Sequence, residues 1–473
     1  MLAPLILLVG AHAASVLPSA VTGAPAAPLD KSSRQIDAFL TDCAAFGWSG
    51  TCHVAKGKKV ILSKGYGYAD DEAGRPCDEE TLFNVGTMTQ ALTATAAIQL
   101  VEARKFSLGD TVFDVLGAGP SAAGDVTIES ILRDVSGFKG RARVGSADDF
   151  EAAIGKILGA DRSGPAGESY RPWPGGYGLL AGIIEAKGAE SFEAYVLENV
   201  LVPAGAKGSG FVGGAFEEGR LALGYERGDE PRRADAPAGR AYGWNVRGSS
   251  GAVMTASGFA NFMIAFESGR LGKGEAFSRA IRRGPDDRGF GWGINRDYQA
   301  SCDRLERAGE TRGFRSFASL NLGTGVTCVL LSNRGNAPAR FMDTVVRNFV
   351  SGEKMPVKQS TYPPETVTWK GKDLDTLAGT WGNGDGVELE LERYGETSLR
   401  ARAFRAALLA SASGGVADPR RAVFAPIEKR VMTAHAWVEA ATVARLEWNG
   451  KRGAKAEIRF TEPDGRTHVL TIL

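Results

Sequence analysis

Over residues 31–43, Ile36, Phe39, Leu40 and Cys43 recur at helical spacing, which predicts an amphipathic helix at the start of the fold. Residues 49–68 read as a hairpin: a strand through His53 and Val54, a Lys-Gly-Lys-Lys turn, then a strand over Val60–Lys64. From about Met88 to Arg104 the chain is apolar on nearly every helical face, so this helix is expected in the centre of a domain. The charged, glycine-containing stretch Lys105–Asp110 ends it. Residues 108–270 mix helical patterns with Gly-rich loops and show no repeat, which predicts a largely helical insert. Strand signals return over Arg304–Ala308, Phe314–Asn321 and Val326–Ser332. A last helix, Ala339–Val350, gathers Phe341, Met342, Val345, Val346 and Phe349 on one side. The expected class is α/β (α+β): an antiparallel sheet with terminal helices on one face and the helical insert on the other.

Beyond this unit the pattern changes. Residues 351–369 are polar and proline-marked, as a linker would be. Val387-Glu-Leu-Glu-Leu391 then alternates strictly between apolar and polar, the period of a strand with one face in a core. Short strands with Gly turns continue to Leu473, which predicts a small β-barrel or sandwich. The expected divisions are a leader over 1–30, a main domain over 31–352, a linker over 353–369 and a β-domain over 370–473.

The N-terminal run from Leu2 to Gly10 is apolar and is followed by Ala11-His12-Ala13, a small-x-small pattern. This reads as a secretory signal without a basic n-region, cleaved after Ala13. Its apolar run is far below the roughly 20 residues that span a bilayer, so no transmembrane segment is expected and the mature chain is read as exported, periplasmic or secreted. Lys and Arg total 56 against 55 Asp and Glu, which leaves no basic field to attract nucleic acid. Five cysteines (Cys43, Cys52, Cys77, Cys302 and Cys328) leave at least one unpaired, and none forms a CxxC. The histidines His12, His53, His435 and His468 neighbour no nucleophile in sequence, and no H-x-x-x-H or Asp cluster suggests a metal. No cofactor is implied.

One stretch carries the functional question. Residues 83–96, FNVGTMTQALTATA, stand in a series of ordered landmarks: SKGYGYAD at 63–70, TLFNVG at 81–86, VTIESILRDVSGF at 126–138, GESYRPWPGGYGLLAGIIE at 167–185, ERAGETRGFRSF at 306–317 and VLLSN at 329–333. In this order they resemble the penicillin-recognising serine hydrolases: class C β-lactamases, low-molecular-weight penicillin-binding proteins, D-aminopeptidases and related esterases. The resemblance covers roughly residues 35–350 and implies the β-lactamase/transpeptidase-like fold. It also implies that the first and last strands of the sheet pair, which would bring Cys52 and Cys328 near one another. Cα atoms more than about 7 Å apart could not be bridged without backbone movement.

In the resembled family a Ser-x-x-Lys opens the buried helix, a tyrosine comes from the insert, and a lysine or histidine with a following glycine lies on a sheet strand. A serine hydroxyl must lose its proton to a positioned base before it attacks. Here Thr87 stands at the nucleophile position and Gln90 at the lysine position. Threonine keeps a hydroxyl on a stiffer, β-branched carbon, whereas a carboxamide accepts no proton near neutral pH. Thr87 also suits a helix-start cap. Pro172 stands at the tyrosine position and Pro174 at the following asparagine, with Trp173 between them. Tyr170 lies upstream, at a position that is usually a core phenylalanine. Arg307 matches the strand cation and Gly309 its glycine, with Glu306 and Glu310 flanking. Arginine grips carboxylates bidentately but is a poor proton shuttle. Asp134-Val135-Ser136-Gly137 replaces a mainly structural His-Thr-Ser-Gly. Ser249 and Ser250 have no GxSxG elbow.

Three readings follow. The favoured one is a catalytically impaired pseudoenzyme whose pocket, with Thr87, Gln90, Trp173, Arg307 and Gly309, binds an acidic small-molecule or peptide/ester-like ligand. A second is a divergent hydrolase or acyltransferase with Thr87 as nucleophile and Tyr170 or Glu168 supplying a base. A third is a scaffold that binds partners through the C-terminal β-domain.

Overall fold

The computed structural model describes residues 30–117, 124–139, 144, 149–226, 230–237, 242–297, 300–352, 367, 369–382, 388–405, 423–428, 431–436, 441–451, 456–461 and 467–472. The predicted signal and nearly all of the predicted linker lie outside these residues. The order of the principal elements is α1 (Lys31–Ala45), β1 (Gly50–Lys56), β2 (Lys59–Tyr66), α2 (Thr89–Glu102), α3 (Pro174–Gly188), α4 (Ala256–Glu267), β3 (Gly293–Asp297), β4 (Cys302–Thr311), β5 (Phe314–Asn321), β6 (Val326–Ser332) and α5 (Ala339–Ser351). Asp30 caps α1 by accepting the Ser33 N–H at 2.9 Å, which satisfies a donor the helix cannot pair internally.

The six strands form one sheet in the order β3-β4-β5-β6-β1-β2, antiparallel throughout. The first strand therefore pairs with the last, as the resemblance implied. Strand alternation then sorts the core into two layers. Cys52 and Val54 of β1 and Cys328 and Leu330 of β6 pack with Ile36, Leu40, Met342 and Val346 of the terminal helices. Val329 and Leu331 face the other way, with Ala91 and Leu92 of α2 and Phe259 and Met263 of α4. Eleven residues of α2 are buried, Thr89 to Ala97 among them, which puts this helix between sheet and insert. The edge strand β3 was not anticipated: only Gly293 and Ile294 are buried, and Asn295-Arg296-Asp297 breaks the apolar pattern.

After a short helix, Gly371–Leu377, eight strands from Gly379–Gly382 to Thr467–Ile472 close into a barrel. Closure comes from pairing of its first and last strands, Trp381 opposite Ile472. The open alternative, a sandwich, is not formed. Inside lie Trp381, Leu389, Leu391, Leu399, Leu446, Ile458, Phe460 and Leu470, and the Trp381 indole donates to the Leu377 carbonyl at 2.9 Å. The barrel touches the main domain through the Ser398 hydroxyl, which donates to the Ala45 carbonyl at 3.0 Å, and through Tyr394 and Arg400, which reach Asp71. Among the described residues no helix is long and apolar enough to cross a membrane.

Candidate active site

Two glycines let the segment before α2 lie against strand β4. Gly86 has φ +54°, and a side chain there would meet the Glu310 backbone at 2.6 Å. A Cβ on Gly309 would lie 2.2 Å from the Val85 carbonyl oxygen. Neither contact is compatible with any other residue without backbone movement. Asn84 fixes the approach from the other side: its amide donates to the Ala234 carbonyl at 3.0 Å and its oxygen accepts the Gly86 N–H at 3.0 Å. The result places Thr87, Gln90 and Arg307 together.

Thr87 is half-buried, and its hydroxyl donates to the Ala308 carbonyl at 3.1 Å. A carbonyl oxygen cannot take up the proton. Arg307 lies on the inner face of β4, 8% exposed, and donates through Nε to the Thr87 carbonyl at 3.1 Å and through Nη2 to Gln90 Oε1. Its flanking carboxylates serve other partners. Glu306 points to the opposite face and meets Arg340 at 2.7 Å and Arg304 at 3.2 Å, while Glu310 pairs with Arg315 at 2.9 Å. The strand arginine is thus neither solvated nor paired with its neighbours in sequence, because alternation turns it inward.

Burial and the nearby Arg288 guanidinium both push the Arg307 ionisation down, with Asp134 acting against them. Asp134 is 3% exposed and sits in the left-handed region at φ 56°. Burial raises its pKa, and Arg307 and Arg288 counter the rise. The Asp134 carboxylate lies 3.7 Å from Arg288, whose guanidinium stacks 4.2 Å from the centre of the Tyr170 ring. Tyr170, expected in the core, is only half-buried and is held at its backbone N–H by Asp286 at 2.6 Å. Glu168 is exposed.

Pro172 is exposed ahead of the helix, and Pro174 has a local explanation. Trp173 is the N-cap of α3 and Pro174 occupies its first turn, where a missing N–H costs nothing. The Trp173 ring turns into the insert, 1% exposed and stacked on Phe138 at 4.3 Å. It belongs to the core there, and no face of it is offered to a ligand. Tyr177 is likewise buried, its hydroxyl donating to the Leu132 carbonyl at 2.9 Å. The sequence motif marks residue 134 as structural and gives no role to Arg288. The signal that could have found them is the carboxylate itself: a carboxylate in a segment expected to be buried needs a cation partner.

The profile described as Beta-lactamase matches residues 45–350. The chain belongs to the beta-lactamase family. Among curated proteins, PbpX of Bacillus subtilis (strain 168), a penicillin-binding-type protein, is 31% identical over 197 residues, 41% of this chain and 48% of that one. Esterase EstB of Burkholderia gladioli is 27% identical over 287 residues, 51% of this chain and 72% of that one. The alignment thus spans about half the length of PbpX, and less of the Staphylococcus aureus Protein flp, at 41%. Among solved structures, an octameric penicillin-binding protein homologue from Pyrococcus abyssi superposes with TM-score 0.59 at 18% identity, covering 93% of this chain and 99% of that one. A class C beta-lactamase gives TM-score 0.58 at 16% identity over 71% of this chain and 99% of that one. These likenesses establish the fold. Within this beta-lactamase fold, the cation next to Thr87 comes from strand β4 and not from the helix.

Proposed function

We propose that this beta-lactamase-family chain has given up hydrolysis and keeps the site for binding. One observation carries the reading: the Thr87 hydroxyl donates to a backbone carbonyl, while the Gln90 oxygen beside it is held by Arg307. A nucleophile needs a base in hydrogen-bond reach, and among the described residues the groups bonded around Thr87 are a carbonyl, a carboxamide and a guanidinium. Arg307 and Arg288 bring two guanidinium groups to the site, which suits a ligand bearing a carboxylate or an ester carbonyl. Export to the periplasm or medium is part of the same proposal and is tested by fractionating cells that express the full chain.

The test uses the purified protein with a fluorescent penicillin and with p-nitrophenyl butyrate. We expect no covalent label and no hydrolysis above that of Thr87→Ala. A stoichiometric acyl adduct on Thr87, found by mass spectrometry, would overturn the proposal.

A second reading is favoured by the position of Tyr170, a phenol held over Arg288 at the edge of the same site. In it Thr87 attacks the substrate carbonyl and Tyr170, acting as its phenolate, takes the hydroxyl proton. Hydrolysis that vanishes in both Thr87→Ala and Tyr170→Phe would select this reading.

A further inference from the structure

Three charged side chains at the base of the site close no hydrogen bond with one another. Arg307 uses Nε and Nη2 on the Thr87 carbonyl and Gln90, and its Nη1 has no partner among the described residues. Arg288 keeps a buried Nε with no partner, and its Nη2 lies 3.7 Å from the Asp134 carboxylate, beyond hydrogen-bond reach. The Trp173 backbone N–H approaches that carboxylate from the other side. The three charges still sense one another: burial apart, Arg288 and Asp134 act most on the ionisation of Arg307.

Buried charges are normally paired and hydrogen-bonded. Here two guanidinium groups share a single carboxylate and leave donors open. Thr87, bonded to Arg307, and Tyr170, stacked on Arg288, are both half-buried, so these donors lie one residue from solvent. The missing partner is an anion, and Asp134 narrows which one. A carboxylate or a sulfonate presents only acceptor oxygens, which suit the guanidinium groups but meet Asp134 with like charge. An oxyanion that carries a proton offers acceptors to the arginines and an O–H to Asp134. The protein groups come from separate elements: the loop after Ile128–Leu132, the turn before β3, and β4. A group with three oxygens can meet all three, and a carboxylate has two.

We propose that Arg288, Arg307 and Asp134 bind a phosphate or phosphonate monoester in its singly protonated form, its bare oxygens on the two guanidinium groups and its P–OH donating to Asp134. The proposal rests on the acidic-ligand reading above and names the acid.

The experiment is calorimetric titration of the full chain at about pH 6.5 with three probes that share a phenyl ring: phenylphosphonate, benzenesulfonate and benzoate. Much of the phosphonate keeps its second proton there, as phosphate monoesters do around a pKa of about 6. The other two probes carry none. Phenylphosphonate should bind at least about tenfold tighter than either, the worth of one charge-assisted hydrogen bond. Asp134→Asn keeps a residue that tolerates the left-handed backbone at this position. It should bring benzenesulfonate to within about threefold of phenylphosphonate. Arg288→Gln should weaken phenylphosphonate at least about tenfold. Lys58→Gln, which removes an exposed charge from the β1–β2 turn, should change nothing. Circular dichroism melts check that each variant is folded.

No phenylphosphonate binding at millimolar concentration, equal binding of the three probes, an unchanged preference in folded Asp134→Asn, or the same loss in Lys58→Gln as in Arg288→Gln would each overturn the proposal. Benzoate bound more tightly than phenylphosphonate would overturn it and leave the acidic-ligand reading standing. An acyl adduct on Thr87 would remove the loss of hydrolysis and leave the phosphonate preference standing.

Discussion

Arg307 donates through Nη2 to Gln90 Oε1, joining residues 217 positions apart in sequence. The bond settles what replaces the lysine of the resembled motif. A positive charge is still present beside Thr87, but it arrives from strand β4 and is fixed by two acceptors, Gln90 and the Thr87 carbonyl. Restoring the lysine alone should therefore fail. In Gln90→Lys the new ammonium would face a buried guanidinium that has lost an acceptor. We expect a loss of about 2–4 kcal/mol, as for other uncompensated buried charges, read as a lower urea midpoint, with nitrocefin turnover still absent. Unchanged stability together with turnover would show that Arg307 yields its place.

The sequence made the frame of this site legible and left its wiring hidden. The positions of α2 and β4, and the glycines at 86 and 309, follow from motifs whose backbone demands are local. The inward turn of Arg307 does not. Glu306 and Glu310 are its neighbours in sequence, yet strand alternation sends Glu306 to Arg340 on the far face. Trp173 read as a site residue because it sits between the two prolines, but the N-cap geometry of α3 points its ring at Phe138. Asp134 and Arg288 meet only through tertiary folding, so no spacing rule announces them.

Besides the Ser398–Ala45 hydrogen bond, the barrel is fastened to the main domain at the Asp71 carboxylate. Asp71, its side chain 6% exposed, accepts from both Arg334 nitrogens at 2.8 and 2.6 Å, from the Tyr394 hydroxyl at 3.3 Å and from Arg400 at 3.4 Å. Asp71→Ala would strand the buried Arg334 without a counter-charge, while Arg400 keeps Glu392 at 2.5 Å, a change that costs about 3–5 kcal/mol in comparable buried pairs. Scanning calorimetry should show a lower-melting transition for the barrel. A single transition at the original midpoint would mean that the network holds nothing together.

The five cysteines are free thiols in this structure. Cys52 and Cys328 lie on paired strands, Cys52 opposite Leu330 and Cys328 opposite Val54, close enough for a thiol–thiol hydrogen bond. Burial pushes the Cys77 thiol up to about 12 and also raises Cys43. Reactivity follows thiolate and access, so Cys302, the one that is not fully buried, should react alone with Ellman's reagent in the native protein. Cys302→Ser should then be silent until denaturant is added. Rapid labelling of a second thiol in the native state would contradict the buried placement.

Stability should fall in mild acid because of His53. This side chain of β1 is 6% exposed, its Nδ1 lies 3.1 Å from the Ser63 hydroxyl, and burial lowers its pKa to about 4. An unfolded histidine titrates near ~6.5. Between these values the unfolded chain binds a proton that the native chain refuses, so acid favours unfolding. The contribution is complete above the unfolded value and is lost as pH falls toward 4, by up to about 3 kcal/mol. Asp125, held at about 2 by its Arg162 hydrogen bonds, works in the same direction but below this window. His53→Gln cannot take up the proton in either state, and the hydroxyl of Ser63 can still serve its amide. The difference in urea-derived stability between wild type and His53→Gln should therefore be constant from neutral pH down to about 6.5 and then shrink or reverse toward pH 4. A difference that stays flat across that window would mean that His53 protonates as easily in the native protein as in water.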